Sequence, residues 1–112
     1  MGISTHILDT SKGRPAAGVR VSLSRLTAST EIAITAAETD ADGRVKALIP
    51  SGHALEAGTY RIAFEVAAYF SANQIDAFYP RVSIDFIVKN PAEHFHVPLL
   101  LQPFGFGTYR GS

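Results

Sequence analysis

Apolar and polar positions alternate with a period of two along most of the chain. Val19, Val21 and Leu23 alternate with Arg20, Ser22 and Ser24, and Tyr60, Ile62, Phe64 and Val66 with Thr59, Arg61, Ala63 and Glu65. Val82, Ile84, Phe86 and Val88 alternate with Arg81, Ser83, Asp85 and Lys89. Such a period predicts strands that put one face on a core. Ile3 to Leu8, Glu31 to Thr39, a short piece after Arg44, Glu93 to Leu101 and Gly107 to Arg110 are further strand candidates. Turn signals fall between them: Lys12-Gly13-Arg14-Pro15, Asp40-Ala41-Asp42-Gly43, Pro50-Ser51-Gly52, Ala57-Gly58, Asn90-Pro91 and Pro103-Phe104-Gly105. Only Ala67 to Asn73 reads as helix, one to two turns long. Seven or eight short strands at this spacing predict an all-β antiparallel sandwich with one short helix. Pro98 interrupts the seventh candidate; lacking an N–H, it calls for an edge strand or a bulge there.

The same alternation sorts the chemistry. On a strand, His94 and His96 share a face with Pro98 and Leu100, while Phe95, Val97, Leu99 and Leu101 form the core face. Two imidazoles therefore project from the side that a lone subunit leaves to solvent. They are plain surface histidines, a His-x-His metal pair with His6 as third ligand, or part of a site. No carboxylate accompanies the set, which weighs against metal. His6 faces the same way as Leu8, and Arg44 follows Asp42-Gly43 at a turn exit. By themselves these two are unremarkable. Thr108-Tyr109-Arg110-Gly111-Ser112 follows the apolar Leu99-Leu100-Leu101 closely. Terminal residues usually fray unless tied down, so the choice here is a polar tail or a segment belonging to a site.

Composition narrows the classes. The 112 residues read as one domain, large enough to bury roughly two-thirds of the unfolded surface. Ten basic and ten acidic residues cancel, so no global field draws nucleic acid or an anionic membrane. Cysteine is absent, which removes disulfides and thiolate chemistry. No stretch approaches the roughly 18 apolar residues of a membrane span. Met1-Gly2-Ile3-Ser4-Thr5-His6 carries no basic or apolar leader pattern, so a cytoplasmic location is expected. There is no G-x-S-x-G elbow, H-E-x-x-H helix, P-loop or G-x-G-x-x-G. An enzyme made from this chain has to use His as acid or base and Arg as an anion clamp.

An ordered set of motifs over the whole chain resembles the 5-hydroxyisourate hydrolases, the transthyretin-related enzymes of urate breakdown. The set comprises Thr5-His6-Ile7-Leu8-Asp9-Thr10 with Gly13-x-Pro15-Ala16-x-Gly18-Val19, then Thr39-Asp40-Ala41-Asp42-Gly43-Arg44. It continues with Gly58-Thr59-Tyr60-Arg61, Ala67-Ala68-Tyr69-Phe70 and Phe78-Tyr79-Pro80. It ends with His94-Phe95-His96-Val97-Pro98-Leu99-Leu100-Leu101 and Tyr109-Arg110-Gly111-Ser112.

The resemblance implies a transthyretin-like sandwich of two four-stranded sheets spanning residues 1–112. It also implies a homotetramer whose inter-dimer channel holds the active sites, with no cofactor or metal. Under it, His6, Arg44, His96 and Ser112 match the catalytic set, and His6, Arg44 and Tyr109 the substrate-holding positions. His94, Arg110 and Gly111 are supporting. Gln102 and Phe106-Gly107 depart from the usual Ser and Tyr-Ser, which bears on subunit contacts. The implied reaction is hydrolysis of 5-hydroxyisourate, with His6 or His96 as the base, Arg44 as the clamp and the Ser112 hydroxyl or carboxylate orienting an imidazole. A transthyretin-type carrier of a small aromatic ligand is the main alternative, and an adhesion or carbohydrate-binding module a third.

Overall fold

The computed structural model describes residues 2–112; Met1, part of the N-terminal stretch considered above, lies outside the described residues. The chain runs β1 (Gly2–Asp9), β2 (Arg14–Pro15), β3 (Arg20–Leu26), β4 (Glu31–Glu38), β5 (Arg44–Val45) and β6 (Gly58–Phe64). It continues through α1 (Val66–Ala72), β7 (Val82–Val88), β8 (His94–Gln102) and β9 (Gly105–Thr108). One sheet has the order β4-β3-β6-β7 and is antiparallel throughout. The other has the order β2-β1-β8-β9, and β5 also pairs with β1. Each sheet therefore has four strand positions, and the outermost position of the second is shared by two short pieces.

Three features depart from the sequence expectation. The β1–β8 ladder is parallel, with Ser4 opposite His96 and His6 opposite Pro98. Alternation reports which face a residue takes but carries no information about strand direction, and a long connection permits a parallel pairing. The last strand ends at Thr108 rather than Arg110. Pro98 lies neither on an edge strand nor at a bulge: β8 is central, between β1 and β9.

The β8–β9 register explains how Pro98 is tolerated. Leu99 pairs with Thr108 and the same register resumes at His96 with Gly111, skipping the two residues opposite Val97 and Pro98. Gly111 N–H donates to the His96 carbonyl at 2.9 Å. Antiparallel hydrogen-bonded positions recur every second residue, so the nitrogen of Pro98 faces this same neighbour. The ladder opens where the donor is missing, and the Thr108 hydroxyl donates to the Pro98 carbonyl at 2.7 Å instead.

Ile3, Ile7, Val97, Leu99 and Leu101 of one sheet meet Val21, Leu23, Tyr60, Ile62 and Phe64 of the other in the buried core. Helix α1 adds Val66, Tyr69 and Phe70. At its edge Asp9 is fully buried, accepting from the Tyr69 hydroxyl at 2.8 Å and the Ser11 hydroxyl at 2.6 Å. Burial alone raises a carboxyl pKa, but the Ser11 and Tyr69 hydroxyls and the Lys12 and Ser11 amides outweigh it and hold Asp9 below its usual value. Burial and the bond to Asp9 push the Tyr69 hydroxyl up to about 12.

Tyr69→Phe removes one donor from this buried carboxylate and is expected to cost about 1–3 kcal/mol. Urea unfolding should show a lower midpoint at unchanged slope. An unchanged midpoint would contradict the role given to this pair.

Candidate functional site

Cross-strand partners point to the same side of a sheet, so register decides which side chains meet. The parallel β1–β8 ladder places Ser4 beside His96 and Leu8 beside Leu100, while the β1–β5 ladder places Arg44 beside His6. Ser4, His6, Arg44, His94 and His96 thus share the outer face of the sheet. Thr5, Val45, Phe95 and Val97 turn the other way and are buried. This outer face contrasts with that of the other sheet, where Arg61 is paired with Asp85 and Glu31.

Arg44 is delivered by a constrained turn. The Asp40 carboxylate accepts from the amides of Asp42 at 2.9 Å and Arg44 at 3.0 Å, and the Arg44 amide is the leading reason its pKa is lowered. Gly43 sits at φ 74°, and its carbonyl accepts from the Ile7 amide at 2.8 Å. A Cβ at Gly43 would stand 2.5 Å from the Ile7 carbonyl oxygen, so only glycine lets the turn close onto β1.

Ser4, Thr5, Arg44, Lys46, His94, His96 and Ser112 line a cavity of about 210 Å³ on this face. Within it the Ser4 Oγ lies 2.7 Å from His94 Nε2 and 2.8 Å from His96 Nδ1. Gly111 is packed against the edge of the His96 ring: a Cβ there would lie 2.6 Å from Cδ2. The ring is thus held at Nδ1 by a hydroxyl and on its side by backbone. Burial lowers the His96 pKa, and the neighbouring Arg44, His6 and His94 lower it further. A neutral imidazole beside a guanidinium and an ammonium can accept a proton at neutral pH while the cations hold an electron-rich oxygen.

The structure brings Arg44, His96, His94, Gly111 and Ser112 together. His6 stands next to Arg44 and Pro98 in the register, one step along from the Ser4–His96 rung. Tyr109 lines a separate apolar recess of about 260 Å³ with Ile84, Phe86 and Phe95, which His96 also borders. Arg110 points away from the cavity. Its guanidinium covers the Phe95 ring at 4.5 Å, pairs with Glu93 at 3.0 Å and donates to the His94 carbonyl, tying the last segment to β8.

Among the described residues no hydrogen bond joins Ser112 to an imidazole; the contact expected of it is made by Ser4. Ser4 and Lys46 carry no mark of their own in the sequence: Ser4 meets His96 only through the β1–β8 pairing of segments about ninety residues apart, and Lys46 follows β5. The available signal was the Ser4-x-His6 alternation facing His94-x-His96. Among the described residues no group of three or more His, Cys, Asp or Glu could hold a metal ion.

The sequence model of the HIUase/Transthyretin family matches residues 3–111. The chain is 44% identical over 114 residues to the 5-hydroxyisourate hydrolase of Deinococcus radiodurans, covering 99% of this chain and 96% of that protein. The structure of Klebsiella pneumoniae 5-hydroxyisourate hydrolase superposes with a TM-score of 0.87 at 40% identity, over 100% of both chains. Sea bream transthyretin in complex with thyroxine superposes with a TM-score of 0.90 at 31% identity, over 99% of this chain and 95% of that one.

The electrostatics of the cavity are testable without a substrate. In a proton NMR titration of the ring signals, His96 should titrate below the ordinary imidazole value near 6.5. Replacing Arg44 by Gln should move that midpoint upward, since one of the charges opposing protonation is gone. A wild-type midpoint at or above the ordinary value would contradict the geometry described.

Proposed function

The chain belongs to the HIUase/transthyretin family, and from that premise we propose that it is a hydrolase acting on 5-hydroxyisourate in urate breakdown. The reaction opens the six-membered ring at a cyclic amide and gives the carboxylated ureidoimidazoline, 2-oxo-4-hydroxy-4-carboxy-5-ureidoimidazoline. The observation that carries the reading is the cavity in which a His96 of lowered pKa stands with Arg44.

His96 is the base. Its Nδ1 is engaged by Ser4, which leaves Nε2 to take a proton from water as the water oxygen attacks the ring carbonyl. The carbon–nitrogen bond then breaks, and the proton returns to the departing ring nitrogen. Water is added across one amide, leaving a carboxyl and an N–H. Arg44 holds the heterocycle's oxygens through paired donors and stabilises the negative charge that develops on the attacked carbonyl. His6, next to Arg44, helps to bind the heterocycle, as does Tyr109 from the adjoining recess. Ser112 closes one side of the cavity.

The proposal includes a homotetramer in which the histidine-bearing face is covered by another copy. Leu100 shares that face and is 37% exposed, and Phe104 and Phe106 are exposed nearby. Light scattering at micromolar protein should report a tetramer, and a stable monomer would leave the site open to water and oppose this part. A carrier reading draws on the likeness to transthyretin, but ligand carriage gives no reason to hold a neutral imidazole beside two cations.

The ultraviolet decay of freshly generated 5-hydroxyisourate should accelerate on adding the protein, beyond its unaided rate. His96→Ala should lower turnover by about 10²-fold or more. Arg44→Lys should also be damaging, because an ammonium lacks the planar two-point fork. Gly111→Ala forces the His96 ring aside and should cost on the order of 10²-fold in rate. Decay unchanged by the wild-type protein would refute the reading.

A further inference from the structure

We propose that Ser4 and His94 are positioning residues, joined to His96 in a hydroxyl–imidazole relay that fixes which of the His96 ring nitrogens carries the proton. The relay rests on the hydrolytic reading for its effect on rate, and on the cavity's geometry for its existence.

Ser4 sits at the centre. Ser4 is only 8% exposed, and its hydroxyl contacts His94 Nε2 at 2.7 Å and His96 Nδ1 at 2.8 Å. A hydroxyl has one proton to give and lone pairs to receive. If both rings donated to it, its own proton would be buried without an acceptor, at a cost of about 1–3 kcal/mol. One ring therefore donates and the other accepts, which leaves two arrangements.

In the first, His94 Nε2–H donates to Ser4 and Ser4 donates to His96 Nδ1. His96 then carries its proton on Nε2, which cannot act as a base. In the second, His96 Nδ1–H donates to Ser4 and Ser4 donates to His94 Nε2. The lone pair then lies on His96 Nε2.

The cavity selects the second. Its cationic walls, Arg44 and Lys46, are donors with no acceptor to offer. A lone pair on Nε2 suits these two cations and can also take the Ser112 hydroxyl proton, whereas an Nε2–H would face both cations. His94 is exposed, so its Nδ1 can be protonated and hydrated at little cost. No Asp or Glu side chain lines the cavity to do this work, and the titratable or charged groups around His96 are His6, Arg44, Lys46, His94 and Ser112. When Nε2 takes the proton from water, the Nδ1–H already donates to Ser4. The new positive charge is thereby shared with a hydroxyl whose own proton points to a second imidazole. The Nδ1 proton moves toward Ser4 as the Ser4 proton moves toward His94, and both return when the leaving nitrogen is protonated.

The test combines ring-nitrogen NMR with kinetics on the full chain. In ¹⁵N-labelled wild-type protein at neutral pH, His96 should show a protonated Nδ1 and an unprotonated Nε2. In Ser4→Ala this preference should collapse toward a mixture, with kcat lowered by about 10-fold to 100-fold, a part of what a general base supplies. KM should stay near wild type because Ser4 acts through His96. Ser4→Thr keeps the hydroxyl and should restore both the tautomer and most of the rate. His94→Phe leaves His96 Nδ1 as the acceptor for the Ser4 proton, so the ring should shift toward a protonated Nε2, with kcat lowered as in Ser4→Ala.

A wild-type His96 protonated on Nε2 would overturn the relay. So would Ser4→Ala with the wild-type tautomer and rate. The nitrogen spectrum needs no substrate, so it decides the relay even if the protein leaves 5-hydroxyisourate decay unchanged, an outcome that would count against the hydrolytic reading alone.

Discussion

The parallel ladder between β1 and β8 is the constraint on which the site depends. These strands are separated by nearly the whole chain, yet their register sets Ser4 against His96 and His6 against Pro98. The register is held from the core side, where Ile3, Ile7, Val97 and Leu99 are buried and the Thr5 hydroxyl donates to the Val97 carbonyl at 2.6 Å. A slip of one residue would turn each of these apolar groups outward and each polar one inward. Packing the core and assembling the cavity are therefore the same act. The two short pieces on β1's outer edge follow from it: β5 reaches its place through Gly43, and with it comes Arg44.

The chemistry of the cavity comes from what its walls lack. Cationic side chains gather at one end of the sheet, and no Asp or Glu side chain lines the cavity. On other faces some cations are paired, as Arg61 with Asp85 and Arg81 with Glu65. An unpaired cationic group of this kind repels protons and attracts electron-rich oxygens. Burial lowers the His96 pKa and Arg44 lowers it further, while the same charges suit the binding of an oxygen-rich heterocycle. Gly111 and Arg110 contribute mechanically, the first by backing the ring and the second by tying the last segment to Glu93 and Phe95.

Much of this was legible in the chain, for identifiable reasons. Period two is a local property, so β3, β4, β6, β7 and β8 and the facing of His94 and His96 could be read directly. The single helix stood out because Ala67 to Asn73 breaks that period. Strand direction and the pairing of distant segments are not local, which is why the parallel ladder and Ser4 escaped. A serine two residues before a histidine has no distinguishing mark until the partner strand is in place. Pro98 is visible in the sequence as a missing donor, but its accommodation, a gap in the β8–β9 ladder covered by the Thr108 hydroxyl, depends on which neighbour its nitrogen faces. The resemblance implies that Ser112 orients an imidazole; in the fold Ser112 lines the cavity, and Ser4 also brings a hydroxyl to His96.

The claim on which the account turns is that neutral His96, its pKa lowered by burial and by Arg44, removes the proton from water. Its most direct measurement is kcat/KM for 5-hydroxyisourate as a function of pH, since that profile reports the essential groups of the free enzyme. Lowering the pH protonates His96 and removes the base, so activity should decline on the acid side. The midpoint of that limb should lie below the ordinary imidazole value and coincide with the titration of the His96 ring itself. A limb whose midpoint differs from that of the ring, or a rate indifferent to its protonation, would contradict the account.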